Sequence, residues 1–351
     1  MKQFTHIVGT RPQIIKLSAI FNEDKEEIDF KVLDTSQHFD DSLQKDIYDD
    51  LKINTNLIDF LEMEQNFSNN VSIMTDMITS YLVKTKTDYV IVYGDTNTTL
   101  AGALASKLAD KSLIHIESGL RSYESFQIEE ANRKIVDSIS DYRLCPTKSS
   151  LHNLKEEGLI SENYLIGDLT LDVFKKYFKE DKDTINNLNL IANTYYVATI
   201  HRHENTSKRN ILEDILESLN TLENVYLLKH PSLVKRLSDF KIDLSRFKNI
   251  HTIDPLTYTD MLNFVNYSKG LITDSGGLQK DAFWLNKKVI TLRNATEWKE
   301  TLINGENILV SNYPTNLGEV MNEMSIKEYD KFELFGSGNA TKNLIEFLKS
   351  I

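Results

Sequence analysis

The sequence predicts an α/β protein made of two Rossmann-like doubly wound domains facing a cleft. Short apolar runs of strand length alternate with segments of helical character from Phe4 to about residue 166, and the alternation resumes from Tyr195 to Leu292. A polar stretch rich in Lys, Asp and Asn, residues 169–193, separates the two series. In both halves the chemically unusual residues stand where the apolar runs end, and the carboxyl ends of parallel strands are where such sheets bind ligands. The expected domains are therefore 1–168 and 169–339, with the short amphipathic helix 340–351 packing back on the first.

The chain has 351 residues, enough for two domains of ordinary size. Its net charge of −12 argues against a general affinity for nucleic acid, so any anionic ligand must be met by a local cluster. Apolar runs are too short to span a bilayer and the N-terminus enters a strand at once, which points to a cytoplasmic protein without a membrane partner. The single cysteine, Cys145, leaves no intrachain disulfide and no cysteine-based zinc site.

Taken in order, residues 3–8 read as a strand, and GTRPQIIK (Gly9 to Lys16) then turns into a helix with Pro12 in its first turn. Arg11 and Lys16 place two cations at that helix start, a place that suits an anion. A strand at Phe30–Asp34 leads to Gln37 and His38, and residues 66–84 read as a long amphipathic helix. Tyr89–Tyr93 is a buried strand followed by Gly94-Asp95-Thr96-Asn97, in which Asp95 is either a helix cap or a site acid. The segment LIHIESGLRSYESFQIEEANR, Leu113 to Arg133, runs from a buried strand through Glu117 and a Gly/Arg loop into a helix carrying Glu129, Glu130 and Arg133. Glu129 and Arg133 are four apart and so share a helical face.

In the second half the strand ends carry His201-Arg202-His203-Glu204-Asn205, Lys229-His230-Pro231, Asp254-Pro255-Leu256, Asp274-Ser275-Gly276-Gly277, and Arg293 followed by Thr296-Glu297-Trp298. Asp-Ser-Gly-Gly before a helix reads as a diphosphate cradle: Gly276 and Gly277 allow close approach, Ser275 adds a hydroxyl, and the helix start supplies N–H groups and a positive dipole end. Arg293, His201, Arg202, His230 and Arg11 are the candidates to complete it. His201 and His203 with Glu204 make a poor metal site, because the third ligand is missing and Arg202 would repel a cation. The sequence has no G-x-G-x-x-G dinucleotide fingerprint in a strand-to-helix turn, so a nicotinamide cofactor is not expected.

GTRPQIIK, VYGDTNTTLAGALA, HIESGLRS with EEANR, HRHEN, DPL, TDSGGLQKDA and LRNATEW occur in this order from Gly9 to Trp298. Together they closely resemble the non-hydrolysing UDP-N-acetylglucosamine 2-epimerases. The resemblance covers nearly the whole chain and implies a glycosyltransferase-B-like fold, a homodimer and a UDP-binding second domain. It also implies no metal or other cofactor, and interconversion of UDP-GlcNAc with UDP-ManNAc for surface polysaccharide synthesis. By the same resemblance Asp95, Glu117 and Glu129 match the family's catalytic acids and His201 its active-site histidine. Arg11, Lys16, Arg133, Arg202, His230, Ser275, Gly276, Gly277, Asp281 and Arg293 would bind UDP and sugar, with Asp281 on the ribose. The family's route expels UDP from C1 while a base takes the C2 proton, leaving 2-acetamidoglucal, and then re-adds UDP.

This sequence departs from the family at several points. The loop from Arg121 to Glu129 is two residues shorter, Gln13 stands where Glu is usual, and Ser118 replaces Ala. Gln37, His38 and His230 match part of an allosteric substrate site whose other segment, 62–70, diverges. The Thr296-Glu297-Trp298 variant also occurs in epimerases of UDP-2,3-diacetamido-glucuronic acid, which leaves the sugar open. The remaining alternatives are a hydrolysing epimerase that releases ManNAc and a non-catalytic nucleotide-sugar sensor.

Overall fold

The protein is described here by a computed structural model, which covers residues 2–21, 28–37, 47–62, 69–124 and 127–351. His38 and the expected helix start at 66–68 lie outside the described residues. The chain divides into two units, Met1–Tyr177 with Asp330–Ile351, and Phe178–Tyr329.

The first unit holds seven strands, β1 (Gln3–Val8), β2 (Asp29–Asp34), β3 (Ile58–Phe60), β4 (Tyr89–Tyr93), β5 (Ser112–Ile116), β6 (Tyr142–Cys145) and β7 (Asn163–Leu165). They pair in parallel in the order β3-β2-β1-β4-β5-β6-β7. The order reverses between β1 and β4, and that switch point opens the crevice at the strands' carboxyl ends. Residues 90–93 of β4 are fully buried, as a strand covered by helices on both faces must be, which is why the run YVIVY is continuously apolar. The edge strand β3 was not legible, because only Ile58 of its three residues is buried and no alternation can show over that length.

Helix Leu169–Tyr177 belongs to this unit, burying Leu169, Leu171, Val173 and Phe174, so the division falls after Tyr177 and not after Asp168. The chain returns at Asp330, ahead of the last helix, Ala340–Ser350. That helix starts on the Asp172 carboxylate, which accepts the N–H groups of Ala340 at 3.2 Å and Thr341 at 2.7 Å. An anion there satisfies two orphan donors and meets the positive dipole end.

The second unit repeats the architecture with six parallel strands, β8 (Tyr196–Thr199), β9 (Val225–Leu228), β10 (Ile250–Ile253), β11 (Gly270–Thr273), β12 (Lys288–Thr291) and β13 (Asn307–Leu309). Their order is β10-β9-β8-β11-β12-β13, with the switch point between β8 and β11. Ala198, Leu227, Ile272 and Ile290 of the sheet pack with Leu212, Ile215, Leu216 and Leu219 of the helix Arg209–Leu219 in one buried core. No helix among the described residues is long and apolar enough to cross a membrane.

Gln13 ties the loops at the first switch point together. Its Oε1 accepts the backbone N–H groups of Gly9 at 2.9 Å and Thr10 at 3.2 Å, while its Nε2 donates to Tyr93 O at 2.9 Å and to the hydroxyls of Thr96 and Thr99 at 3.0 Å. One amide thus serves as both acceptor and donor, which the carboxylate usual at this position could not do for the Tyr93 carbonyl. Gln13→Ala should lower the unfolding free energy by roughly 2–4 kcal/mol, because it strands two buried backbone donors. Urea denaturation checks this; a loss below about 0.5 kcal/mol would show that the loops do not depend on the amide.

Candidate active site

In the first unit, Glu117 follows β5 in a left-handed conformation with φ of 72°. Its carboxylate lies over Gly94, where a Cβ would stand 2.9 Å from Glu117 Oε2 and displace it, and the left-handed backbone of Gly94 itself favours glycine. Glu117 Oε2 pairs with Lys16 Nζ at 2.6 Å, and both side chains are almost fully buried. Burial opposes the charge on Lys16, but the charge and hydrogen bond of Glu117, and then the charges of Asp168 and Asp95, raise its pKa above the ordinary value. Lys16 is therefore an ammonium committed to a neighbouring acid, a different position from the anion-facing one the sequence suggested.

Asp95 is not a helix cap. Thr96 caps helix Asn97–Leu108 in a reciprocal box with Thr99, and Asp95 stands one residue outside it. Its carboxylate pairs with Arg133, and its backbone carbonyl accepts Asn132 Nδ2 at 2.9 Å. Arg133 pairs in addition with Glu130 at 3.0 Å, so the side chain expected to share a helical face with Glu129 is held by the other glutamate.

The two neighbouring glutamates differ sharply. Glu130 is buried and accepts Ser122 N at 2.9 Å, Ser122 Oγ at 3.0 Å and Tyr123 N at 3.2 Å as well as Arg133. Burial would raise its pKa, but the Ser122 N–H, then the Arg133 charge and the Ser122 hydroxyl, hold it below the usual range. Glu129 is half-buried on the first turn of helix Ile128–Ile139 and has no hydrogen-bond or ion-pair partner among the described residues. Of the pair, only Glu129 is at liberty to meet a ligand.

In the second unit, Asp274 at the end of β11 is fully buried and organises the strand-end loop after β8. It accepts His201 Nδ1 at 2.9 Å, His201 N at 3.0 Å, Arg202 N at 2.9 Å and Asn205 Nδ2 at 3.0 Å. Burial opposes its charge, yet the His201 charge and hydrogen bond, with Arg202 N–H and the Asn205 amide, hold its pKa far below the carboxylate range. The His201 ring is thereby fixed with Nδ1 inward, and among the described residues its Nε2 has no partner. The His230 ring stands 5.1 Å from it and caps helix Pro231–Asp239, accepting Ser232 N. Sequence reasoning singled out His201 and missed Asp274 as its orienter, since the two are 73 positions apart.

Helix Gly276–Trp284 begins at this switch point, capped by Ser275 Oγ, which accepts Leu278 N. Beside it stands Arg293, whose NH2 pairs with Glu297 at 2.7 Å while Nε and NH1 are buried with no partner among the described residues. Two buried guanidinium donors left open beside a helix N-terminus form a seat for an anion with several oxygens. Asp281, buried further along the helix, accepts Tyr258 OH at 3.3 Å, and the Lys280 ammonium lies 3.5 Å over the Trp298 ring. Arg202 Nε donates to Asp274 O at 3.0 Å, and Arg11 opens helix Arg11–Phe21 at the first switch point. Among the described residues no cluster of His, Cys, Asp and Glu is arranged to hold a metal ion.

One doubly wound unit thus carries acids at its strand ends and the other an anion seat at its switch point, each at the place where a parallel sheet of this kind binds ligands. A family model described as UDP-N-acetylglucosamine 2-epimerase matches residues 21–349. A UDP-N-acetylglucosamine 2-epimerase homolog of Methanococcus maripaludis is 34% identical over 98% of this chain and 99% of its own. A UDP-2,3-diacetamido-2,3-dideoxy-D-glucuronate 2-epimerase of Pseudomonas aeruginosa is 31% identical over 98% and 99%. The crystal structure of the Methanocaldococcus jannaschii UDP-GlcNAc 2-epimerase in complex with UDP-GlcNAc and UDP superposes with a TM-score of 0.91, at 31% identity, over 99% of this chain and 100% of that one. The chain belongs to the UDP-N-acetylglucosamine 2-epimerase family.

The Glu130 knot carries a pH signature. Because its folded-state pKa is lowered, its contribution is complete above about pH 5 and is lost as pH falls through the folded value. Glu130→Gln should flatten the acid limb of the stability curve, leaving wild type and variant closer together at pH 3.5 than at pH 7. Thermal melts across that range check this, and a constant gap would show that Glu130 is not ionised in the fold.

Proposed function

We propose that this protein interconverts UDP-GlcNAc and UDP-ManNAc without hydrolysing them, supplying an activated mannosamine-type sugar for surface polysaccharide. Two observations carry the reading: an unmet buried arginine beside a helix start in one unit, and, in the other, carboxylates at two strand ends and on the first turn of helix Ile128–Ile139.

The carbon to be inverted, C2, has no adjacent carbonyl, so its proton is not acidic enough for simple enolisation. In the proposed route a carboxylate takes the C2 proton while the C1–O bond breaks, its electrons leaving with UDP, and 2-acetamidoglucal forms. Re-addition of UDP at C1 with proton delivery to the opposite face of C2 completes the inversion. One acid must serve each face, which explains why several are needed, and Asp95, Glu117 and Glu129 are the candidates. General acid-base help of this kind is worth roughly a hundred- to ten-thousand-fold in rate.

The diphosphate develops negative charge as it leaves. Arg293, the helix start at Ser275, Gly276 and Gly277, and His201 Nε2 supply donors already oriented before the reaction, which is the arrangement that stabilises such charge without reorganisation. Arg11, Arg202 and His230 would add to the diphosphate contacts, Asp281 would hold the ribose, and Lys16 and Arg133 serve the sugar end through the acids they fix. The protein is proposed to work as a cytoplasmic homodimer. A related UDP-sugar, UDP-2,3-diacetamido-glucuronic acid, is the second reading, favoured by the likeness to the Pseudomonas aeruginosa enzyme.

Proton NMR with UDP-GlcNAc in deuterated water should show deuterium at C2 and a growing UDP-ManNAc signal, both lost in Glu117→Gln. Free ManNAc with UDP would instead identify a hydrolysing enzyme, and silence with turnover of the diacetamido sugar would move the substrate. Arg293→Ala should weaken UDP binding by roughly ten- to a hundredfold in calorimetry, the effect of losing charge-assisted hydrogen bonds to phosphate.

A further inference from the structure

Asp137, on helix Ile128–Ile139, takes no part in the reaction proposed above, yet it is fully buried and charged. Its Oδ1 accepts Ser118 Oγ and His115 Nδ1, the latter at 2.7 Å, and its Oδ2 accepts Gly119 N at 3.1 Å and Arg121 NH1 at 2.7 Å. Four donors fill the roughly four lone-pair positions of a carboxylate. Burial would raise its pKa, but the charge and hydrogen bond of His115, the charge of Arg121 and the Ser118 hydroxyl bring it down to about 2.

All four donors belong to the segment 115–121 that surrounds Glu117. The N–H groups of Glu117 and Ser118 both point at Leu144 O at 3.1 Å, which gives the left-handed turn its shape, and Gly119 continues it at φ of 81°. A Cβ at Gly119 would stand 2.2 Å from Ser150 O, so the turn is pressed against the helix behind it. His115 carries the tie to the second acid: its Nε2 faces Gly94 O at 2.8 Å, one residue before Asp95. The ring thus links the Asp137 carboxylate on one side to the Gly94 carbonyl on the other.

We propose that Asp137 is a positioning residue that holds the Glu117 turn and, through His115, the Asp95 loop in register for the proton transfers at C2. The inference rests on the epimerase reading above and adds to it a residue that touches neither substrate nor reacting atoms. Ångström-scale misplacement of a reacting group costs about a hundredfold in rate.

The test is a double-mutant cycle on C2–proton exchange with UDP-GlcNAc, joined to amide hydrogen exchange of segment 113–121 by mass spectrometry. Asp137→Asn should lower kcat by about a hundredfold with KM changed less than about threefold, and should speed amide exchange in 113–121 while β8 and β11 stay protected. In the Glu117→Asp background the same substitution should cost less than about threefold more, since the acid it positions is already displaced. Independent, additive losses would mean a general structural role and overturn the inference. Unchanged exchange in 113–121 would also overturn it. If Asp137→Asn does not fold, Ser118→Ala decides: it removes one of the four donors and should lower kcat about tenfold with the same local loosening, and a wild-type rate would sink the proposal. Amide exchange reads the turn whatever the sugar, so a failed substrate reading shows as an inactive wild type with a loosened Asp137→Asn turn. A failed positioning role shows as an unaltered turn.

Discussion

A carboxylate buried away from water must have its lone pairs filled by donors or it does not stay ionised, and the strand-end loops of this protein are built around that requirement. Asp137 and Glu130 in the first unit and Asp274 in the second each collect four or more donors, mainly from backbone N–H groups and side chains of loops with no ladder hydrogen bonds of their own. Removing any one of these acids would leave several buried donors unmet at once. The loops are therefore held much more tightly than their irregular backbone suggests, and the side chains they carry inherit that order.

These anchors separate the charged groups into two populations. Glu130, Arg133, Lys16, Arg121 and Asp274 have partners within the fold. Glu129, the outer nitrogen of His201 and two nitrogens of Arg293 have none among the described residues, although all lie beside the closed networks. Leaving buried arginine donors unmatched is costly for stability, and such costs concentrate where a ligand supplies the missing partner. In the proposed reaction the nucleotide leaves and returns, which requires a seat already formed when the diphosphate charge appears.

The sequence departures from related epimerases have local physical accounts. Gln13 replaces a carboxylate with an amide that both accepts and donates, and the fold uses both halves. Ser118 adds a hydroxyl whose partner is the fully occupied Asp137. The shortened loop after Arg121 is closed by Glu130, which takes both backbone N–H groups at 122 and 123. Trp298 provides an aromatic face for the buried Lys280 ammonium, a contact that offsets part of the cost of burying that charge.

Periodicity and composition were enough to locate most of the strands, because parallel strands covered on both faces must be continuously apolar and glycine or acid-rich loops must punctuate them. The edge strands β3 and β13 escaped, being three residues long and only partly buried. The candidate acids, the Asp-Ser-Gly-Gly helix start and His201 were legible because each stands in a local motif at a strand end. What the sequence could not show was which neighbour each residue would choose. Glu129 and Glu130 are adjacent and chemically alike, and only the packed loop 121–124 decides that one is consumed and the other left open. Asp137 looks like an ordinary polar residue, and Asp274 like one member of a turn motif, until the fold brings donors 16–22 and 69–73 positions away onto their oxygens. Hydrophobic patterning is written along the chain, whereas the pairing of buried charges depends on which loops meet in space, and that is settled only when the sheets close.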